Sequence, residues 1–482
     1  MSKVVFTSAS KQASLIREGS LKVTDLLELH FEQIDKLNSK INAIIWQDRE
    51  AAYNLAKLLE SEISNNEVRG PLHGVPVTIK ESFDLAGAPS TWGNPALKDN
   101  LAVSDSDAVL RLKKAGAIVF GKTNVPYDLA EWQSFNQIYG TTNNPWDITR
   151  TPGGSSGGSA AALATGMTSL EVGSDIGSSI RNPAHYCGVF GHKPTFNVVS
   201  TKGHGSSHVG ADISVAGPLA RSAADLKLAL DVIKGPNQFD SAAWALDLKR
   251  DKRDRLKDFS VGVFLDDPEA PIDKQYKEEL EKFIEKIEQA GANVKRNYLP
   301  DLNTSKHFTL YLNLLGAALA NRMSKKALEE KINGIHSLKN KKIFRISGTR
   351  YQGLAMTHAE QLSLNQERYD HRLKFDNYFT DMDVIITPVA SSTAFIHDQN
   401  GPRYSRFLKI NGTDQPENNQ LFWSGYSGVV GLPSTVGPIG LLDGLPAGYQ
   451  AISGYGKDYT SLAFAMAVER EIHEFRIPPM CN

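Results

Sequence analysis

The stretch TPGGSSGGSAAALATGMTSLEVGSD, residues 151–175, joins a loop of glycines and serines to an alanine-rich segment and then to a short apolar segment. A flexible linker would connect two independent units, whereas these glycines run directly into residues that favour a helix and then a strand. The pattern predicts a loop, a helix at SAAALATG and a strand at TSLEVGSD, all built into a sheet. The small residues also allow backbone or ligand to approach closely.

Strands and helices alternate on both sides of this unit. HGVPVTIKESF, residues 73–83, has apolar residues at period two and predicts a strand that ends at Lys80. Further along, FSVGVFLDD precedes a predicted helix from about Lys274 to Gln289, and DVIITPV predicts another strand at 383–389. This alternation predicts an α/β fold in which one sheet runs through the whole chain.

The division of the chain follows from the same patterns. Residues 1–482 form one predicted domain, since no repeat and no proline-rich hinge separates two units. Residues 1–65 are predicted as N-terminal helices, with Thr24 as an N-cap, and residues 66–235 as the core that carries the candidate catalytic residues. Residues 303–380 are helical and charged, which indicates a helical insertion or cap over the sheet.

Composition limits the function classes. The 53 basic and 54 acidic side chains give a net charge of -1, without the basic excess of nucleic-acid binders. The two cysteines, Cys187 and Cys481, are expected to be reduced, and the N-terminus lacks the apolar run of a secretory signal, so a cytoplasmic protein is expected. Residues 418–442 are uncharged, but two prolines and five glycines favour buried strands and turns over a membrane span.

The glycine- and serine-rich stretch has two alternative interpretations. Glycines before a helix can bind a phosphate, but the chain lacks GxxxxGK[ST]. Residues 153–157 match GxSxG, which would make Ser155 a nucleophile activated by a histidine such as His192, His204 or His208. That arrangement needs a strand directly before the serine, and NNPWDITRTPGG predicts turns there instead.

A second cluster of small residues follows the predicted strand, in GSDIGSSIRNPAHYCG, residues 173–188. Backbone amides at this turn could stabilise a developing oxyanion; the four candidates are Ile176, Gly177, Ser178 and Ser179. Lys80 is a candidate base because it ends an apolar strand. Spacing alone leaves open that Lys80 is an ordinary strand-end lysine that reaches water.

These segments together resemble the amidase signature family. GVPVTIKESFD is similar to the lysine motif of that family, TPGGSSGGSAAALA to its glycine- and serine-rich core, and GSDIGSSIRNPAHYCGVFGHKPT to its nucleophile segment. Further similar stretches, including GKTNVPYDLAEW, DVIITPV and GLPSTVGPIG, extend the resemblance over almost the whole chain in order. The resemblance implies a large mixed central sheet with helices on both sides.

The resemblance also implies a mechanism. Lys80, Ser155 and Ser179 would form a Ser-Ser-Lys triad, in which Ser179 attacks the amide and Ser155, preceded by a cis peptide bond, relays the proton to Lys80. Burial would have to lower the pKa of Lys80 from about 10.4 so that it can accept the proton. No metal or organic cofactor is implied. The residues expected to orient the triad are Ser156, Asp175 and Arg181.

Two positions depart from the family pattern, which often has glycine at Ser178 and leucine at His192. The Cβ of Ser178 is expected to keep its backbone from using positive φ freely. Neither departure falls on a triad residue.

The substrate is the least determined property. Phe422, Trp423 and Tyr426 suggest a pocket for a small apolar or aromatic amide, although all three residues could equally belong to the core. One alternative is the glutaminase chain of a tRNA-dependent amidotransferase, which needs a partner subunit. Another is a binding protein on a catalytically dead amidase scaffold. We expect a small-molecule substrate, no nucleic acid and no membrane span, and a homodimer is compatible with the sequence.

Overall fold

The computed structural model describes residues 3–205, 211–320, 324–336 and 344–481, and its strands fall into two sheets and two short hairpins. The strands are β1 (Ile44–Gln47), β2 (Pro76–Lys80), β3 (Ile118–Thr123), β4 (Phe135–Asn136), β5 (Gly140–Thr141), β6 (Glu171–Asp175), β7 (Phe190–Lys193), β8 (Val215–Ala220), β9 (Ser260–Val263), β10 (Asn293–Arg296), β11 (Val384–Thr387), β12 (Phe407–Ile410), β13 (Thr413–Pro416), β14 (Ser434–Leu442) and β15 (Leu445–Ser453).

The helices are distributed along the whole chain. They are α1 (Ala9–Arg17), α2 (Val23–Ile41), α3 (Arg49–Ser64), α4 (Asp107–Lys114), α5 (Gly157–Ala164), α6 (Arg181–Cys187), α7 (Ala223–Ile233), α8 (Lys274–Gln289), α9 (Thr304–Leu319), α10 (Lys325–His336), α11 (Thr349–Leu354), α12 (His358–Tyr378), α13 (Leu421–Gly428) and α14 (Asp458–Glu471).

The large sheet has eight strands in the order β10-β9-β11-β15-β14-β7-β8-β6. β9 pairs in parallel with β10 and β11, and the other neighbours are antiparallel, so the sheet is mixed. The strand that ends at Lys80 lies elsewhere: β2 belongs to a separate three-stranded sheet of order β1-β3-β2. The prediction of one continuous sheet is wrong here, because periodicity identifies a strand but not its partner.

Helices cover both faces of the large sheet. In β15, Gln450 accepts a hydrogen bond from Arg181 of α6, whereas the neighbouring Tyr449 stacks on Phe283 of α8. Successive side chains of a strand point to opposite faces, so α6 and α8 lie on opposite sides. The predicted α/β class, with a mixed sheet between helical layers, is confirmed.

Several local predictions can be compared with the structure. Helix α8 has the predicted bounds, and α9 to α12 lie in the predicted helical region 303–380. Thr24 is not an N-cap: α2 begins at Val23, and the Thr24 hydroxyl donates to Glu60 instead. Residues 418–442 form helix α13 and strand β14, and no helix among the described residues is long and apolar enough to span a membrane. Both cysteines are free.

Candidate active site

Lys80 is the last residue of β2, a strand whose five residues are all buried. Its side chain is fully buried, and its Nζ donates to Ser155 Oγ at 2.7 Å and to Ser174 Oγ at 2.9 Å. The lysine therefore does not reach water, as an ordinary strand-end lysine would. It ends among hydroxyl groups from two other segments.

Ser155 lies in the glycine-rich loop that leads into α5. The peptide bond between Gly154 and Ser155 is cis, as the resemblance implies. The glycines serve close packing: a Cβ on Gly154 would meet the carbonyl oxygen of Glu131, and a Cβ on Gly158 would meet the backbone of Asn124. The small residues of this stretch thus let the loop lie directly against neighbouring backbone.

The second loop connects β6 to α6 and is organised by Asp175. Its carboxylate accepts hydrogen bonds from the backbone amides of Ser178, Ile180 and Arg181, at 2.9, 3.1 and 3.3 Å. A carboxylate at this place satisfies amides that the first turn of a helix leaves without partners. Ser178 adopts a φ of 76°, contrary to the expectation that its Cβ would prevent this, because Asp175 holds the turn.

Asp175 also forms a fully buried, bidentate ion pair with Arg181, at 2.8 Å from Nη2 and 3.0 Å from Nε. Burial by itself would raise the pKa of Asp175, but the charge and hydrogen bonds of Arg181 outweigh it and lower the pKa to about 2. Arg181 further donates to Ser424, Ser427 and Gln450. The pair therefore ties the second loop to α13 and β15.

The two loops are joined directly. The backbone amide of Ser156 donates to the carbonyl oxygen of Ser179 at 3.1 Å, so Ser156 holds the loops together through its backbone. The Ser179 side chain is 6% exposed, and it lines the same pocket as Ser155 and Ser174. The structure brings Lys80, Ser155 and Ser179 together from three separate segments of the chain.

The four candidate oxyanion amides are not equivalent. The amide of Ser178 is already bound to Asp175. Within the described part of the chain, no acceptor takes a hydrogen bond from the amides of Ile176, Gly177 or Ser179. The carbonyl of Gly177 accepts from Trp132 Nε1 at 2.8 Å, and this bond fixes the orientation of the turn. Of the four amides, three therefore have no acceptor in the described ranges of the chain.

The pocket beside the serines is narrow, with a volume of about 50 Å³. Its apolar lining consists of Leu129, Trp132, Ile176, Leu315, Leu319 and Leu421, and its charged lining of Asp128, Glu131, Arg350 and Arg403. Sequence reasoning did not identify these charged residues. They are scattered over some 275 positions of the chain, and only the fold brings them together.

The three aromatic residues proposed for the pocket do not line it. Phe422, Trp423 and Tyr426 are 2%, 0% and 3% exposed and pack against Phe264 in the core. Helix α13 is buried on all sides, and it reaches the pocket only through Leu421. The core interpretation of these rings, which the sequence left open, is the one that the structure supports.

The candidate histidine bases occupy different surroundings. His192 is buried between Thr435 Oγ1 and Asp458 Oδ1, at 2.9 and 3.2 Å, and lies outside the pocket lining. His204 lines the pocket and packs against Phe83. His208 lies outside the described residues. No strand leads into Ser155, so the strand-to-serine geometry of a GxSxG nucleophile is missing.

Two polar residues of β6 also lie near Lys80. Ser174 is the second hydroxyl bonded to Nζ, and it immediately precedes Asp175 in the motif. Glu171 is fully buried; its Oε1 accepts from the Thr78 hydroxyl, and its Oε2 has no hydrogen-bond partner among the described residues. Burial raises the pKa of Glu171 to about 8. The sequence analysis did not identify Glu171, although a glutamate within the predicted strand TSLEVGSD is the signal that could have pointed to it.

The chain is similar over nearly its whole length to proteins that are named as amide hydrolases or amidotransferase chains. An indoleacetamide hydrolase from Bradyrhizobium diazoefficiens is 30% identical over 475 residues, covering 96% of this chain and 86% of the relative. The A chain of the glutamyl-tRNA(Gln) amidotransferase from Exiguobacterium sibiricum is 30% identical over 489 residues, covering 97% and 98%. A crystal structure of an amidase superposes with a TM-score of 0.77 at 26% identity, covering 97% of this chain and all of the other.

The family description "Amidase" matches residues 25–462, which is nearly the whole chain. The match includes both serine-containing loops and the strand that ends at Lys80. The chain therefore belongs to the amidase signature family and is a hydrolase that acts on amide C–N bonds.

Proposed function

We propose that the protein hydrolyses a carboxylic amide through an acyl-enzyme on Ser179, with Ser155 and Lys80 as the proton relay. The observation that carries this proposal is the 2.7 Å contact between Lys80 Nζ and Ser155 Oγ beside the pocket that Ser179 lines. Full burial of Lys80 keeps its Nζ in contact with hydroxyl groups of the protein and away from bulk water.

The reaction has two halves. Ser179 Oγ attacks the amide carbonyl while its proton passes to Ser155 and from Ser155 to Lys80. The tetrahedral intermediate then collapses, the C–N bond breaks, and the relay returns the proton to the leaving amine or ammonia. Water hydrolyses the resulting ester at Ser179 along the same relay, which releases the carboxylate and restores the free serine.

The oxyanion of the intermediate requires donors beside Ser179. The amides of Ile176, Gly177 and Ser179 have no acceptor among the described residues, which supports this role for them. Their positions are fixed in advance by Asp175 and by the bond from Trp132 to Gly177. Donors that are held in place before the reaction need no reorganisation during it, and this lowers the barrier.

The substrate is a small amide with an apolar part. Four leucines, Ile176 and Trp132 line the pocket, and such apolar surfaces bind apolar groups by excluding water. The small volume of the pocket, about 50 Å³, favours a compact group over a long acyl chain. The pocket itself, rather than the aromatic residues of α13, supports this proposal.

A second candidate function is that of the glutaminase chain of an amidotransferase. It is supported by the similarity to the amidotransferase chain from Exiguobacterium sibiricum, and by a pocket that contains both basic and acidic side chains. Free glutamine carries an ammonium and a carboxylate, which such a pocket could hold. This candidate requires a partner subunit, whereas a stand-alone amidase does not.

Activity of the purified chain separates these functions. We expect the chain alone to release 4-nitroaniline from 4-nitroacetanilide, and the variant Ser179→Ala to release none. Ammonia release from glutamine that appears only with added partner subunits would favour the amidotransferase instead. Absence of turnover together with failure of a fluorophosphonate to label Ser179 would favour a binding protein.

A further inference from the structure

Arg350 is a charged residue of the pocket that the mechanism does not use. It lies in the first turn of α11 and lines the same pocket as Ser155 and Ser179. Among the residues that the structure describes, its guanidinium forms no hydrogen bond and no ion pair. A guanidinium has five N–H donors, and at this partly exposed position those of Arg350 are left to water or to a ligand.

The other charges of the pocket already have partners. Arg403 pairs with Glu417 at 3.0 Å and lies over the ring of Trp132, and Glu131 pairs with Arg406 at 2.9 Å. Asp128 accepts a hydrogen bond from Asn94 at 2.8 Å. Of the two arginines that line the pocket, Arg350 is therefore the one whose donors have no partner among the described residues. They remain available to a ligand.

The surroundings of Arg350 make this availability significant. Burial lowers the pKa of Arg350, and Arg403 acts in the same direction, whereas Tyr351, Tyr311 and Glu131 act in the opposite direction. An anion between these groups would offset the loss of hydration and the repulsion between the two cations. Arginine binds carboxylates in a planar, two-point arrangement, which makes a carboxylate the best match.

The backbone holds Arg350 at the pocket. Helix α11 packs tightly on α9, where a Cβ on Gly316 would meet the Arg350 carbonyl oxygen and a Cβ on Gly353 would meet the Asn313 carbonyl oxygen. Leu315 and Leu319, also on α9, line the pocket beside it. A position fixed by such close helix packing is suited to recognition of a defined group.

We infer that Arg350 forms an anion subsite of the catalytic pocket and that the substrate is an amide that carries a carboxylate in addition to its apolar part. This inference rests on the proposed function, because it adds a second group, a carboxylate, to the amide substrate proposed there. The carboxylate is recognised by Arg350, and the apolar part by the leucines and Trp132.

Binding to a catalytically silent variant tests the subsite separately from turnover. In the Ser179→Ala background, titration calorimetry compares N-phenylbutanamide with two anionic analogues, 4-anilino-4-oxobutanoate and 4-(butanoylamino)benzoate, which place the carboxylate on the acyl and amine sides. We expect at least one analogue to bind about 10- to 100-fold more tightly than the neutral amide. Adding Arg350→Gln removes that advantage, whereas the control Arg368→Gln, on a residue paired with Asp212 outside the pocket lining, preserves it.

Equal affinity for the neutral and anionic amides, or an advantage that survives Arg350→Gln, would overturn the inference. The proposed function is judged separately, by release of aniline or 4-nitroaniline from neutral amides by the unmodified protein. A protein that hydrolyses neutral amides but shows no preference for the carboxylate refutes only the subsite. A protein that binds the carboxylate but hydrolyses no amide refutes only the proposed catalysis.

Discussion

The side-chain nitrogen of Lys80 lies 2.7 Å from the hydroxyl oxygen of Ser155, although 75 positions separate the two residues in the chain. The contact joins the three-stranded sheet that ends in Lys80 to the loop before α5. It places a buried amine in direct contact with a hydroxyl at the pocket that Ser179 lines.

Loss of the lysine amine should abolish the reaction. We expect Lys80→Met to lower kcat by about 10³-fold or more, since a positioned base contributes about 10²- to 10⁴-fold. Amide hydrolysis measured by product release checks this. The matched control is Lys122→Met, on the adjacent strand β3, where the buried Nζ bonds the Pro89 carbonyl outside the pocket lining. Strong activity in Lys80→Met, with loss in His204→Ala, would instead support a histidine base.

Ser174 should position the amine of Lys80 rather than take part in the reaction. Among the described residues, the hydroxyls of Ser174 and Ser155 both accept from Lys80 Nζ, so Ser174→Ala removes one of these bonds and keeps the other. We expect kcat to fall by about 10-fold, as for one lost hydrogen bond of about 1–2 kcal/mol, with KM little changed. Steady-state kinetics with a shift in the pH–rate profile would confirm a positioning role. An unchanged kcat and pH profile would contradict it.

The buried pair of Asp175 and Arg181 should matter for stability. Asp175→Asn leaves the Arg181 charge uncompensated and is expected to lower the free energy of unfolding by about 3–5 kcal/mol in urea. Asp35→Asn, which breaks a solvent-exposed pair with Arg49, serves as the control and should cost less than about 1 kcal/mol. Similar losses for the two variants would contradict the importance assigned to the buried pair.

Glu171 should make stability depend on pH. Because its folded-state pKa, about 8, lies above the ordinary value of 4.5, the folded protein holds this proton more tightly, and stability declines as pH rises between these values. Glu171→Gln cannot lose a proton. We expect wild type to lose about 1 kcal/mol per pH unit relative to this variant between pH 5 and 8, measured by urea unfolding. Parallel stability curves would show that Glu171 does not carry the shift.

Replacing a glycine of the first loop should lower stability where neighbouring backbone packs against the position of the missing Cβ. Gly158→Ala would drive a Cβ into the backbone of Asn124, and overpacking of this kind costs about 1–3 kcal/mol. Gly334→Ala, in helix α10, where no atom of the described residues lies within 4 Å of the Cβ position, should be neutral or stabilising by up to about 1 kcal/mol. Thermal unfolding of the two variants measures the difference. Equal melting temperatures would contradict the close-packing explanation.

Local sequence patterns predicted individual elements better than their partners. The charged, amphipathic segment of α8 predicted its bounds, because helical periodicity and capping act within a few residues. The assignment of β2 to a separate sheet depends on pairing with β3, some 40 residues away, which no local pattern contains. Thr24 is not the cap because α2 already begins at Val23, so that Thr24 lies in its first turn and donates from its amide and hydroxyl to Glu60.

The active site shows the same distinction. The resemblance proposed Lys80, Ser155 and Ser179 as the triad because each lies in a compact motif, and the structure places these motifs beside one another. Phe422 and its aromatic neighbours have the composition of either a pocket or a core, and burial decides between them only in the folded chain. Arg350 lies in none of these motifs, so the sequence did not point to it.

The most direct test is the site of acylation. The protein is incubated with 4-nitroacetanilide, quenched in acid within the first turnovers, digested and mapped by mass spectrometry. The proposed mechanism predicts an acetyl group, about 42 Da, on Ser179, which is absent when Ser179→Ala is treated in the same way. An acetyl group on Ser155, or turnover in Ser179→Ala at the wild-type rate, would contradict it.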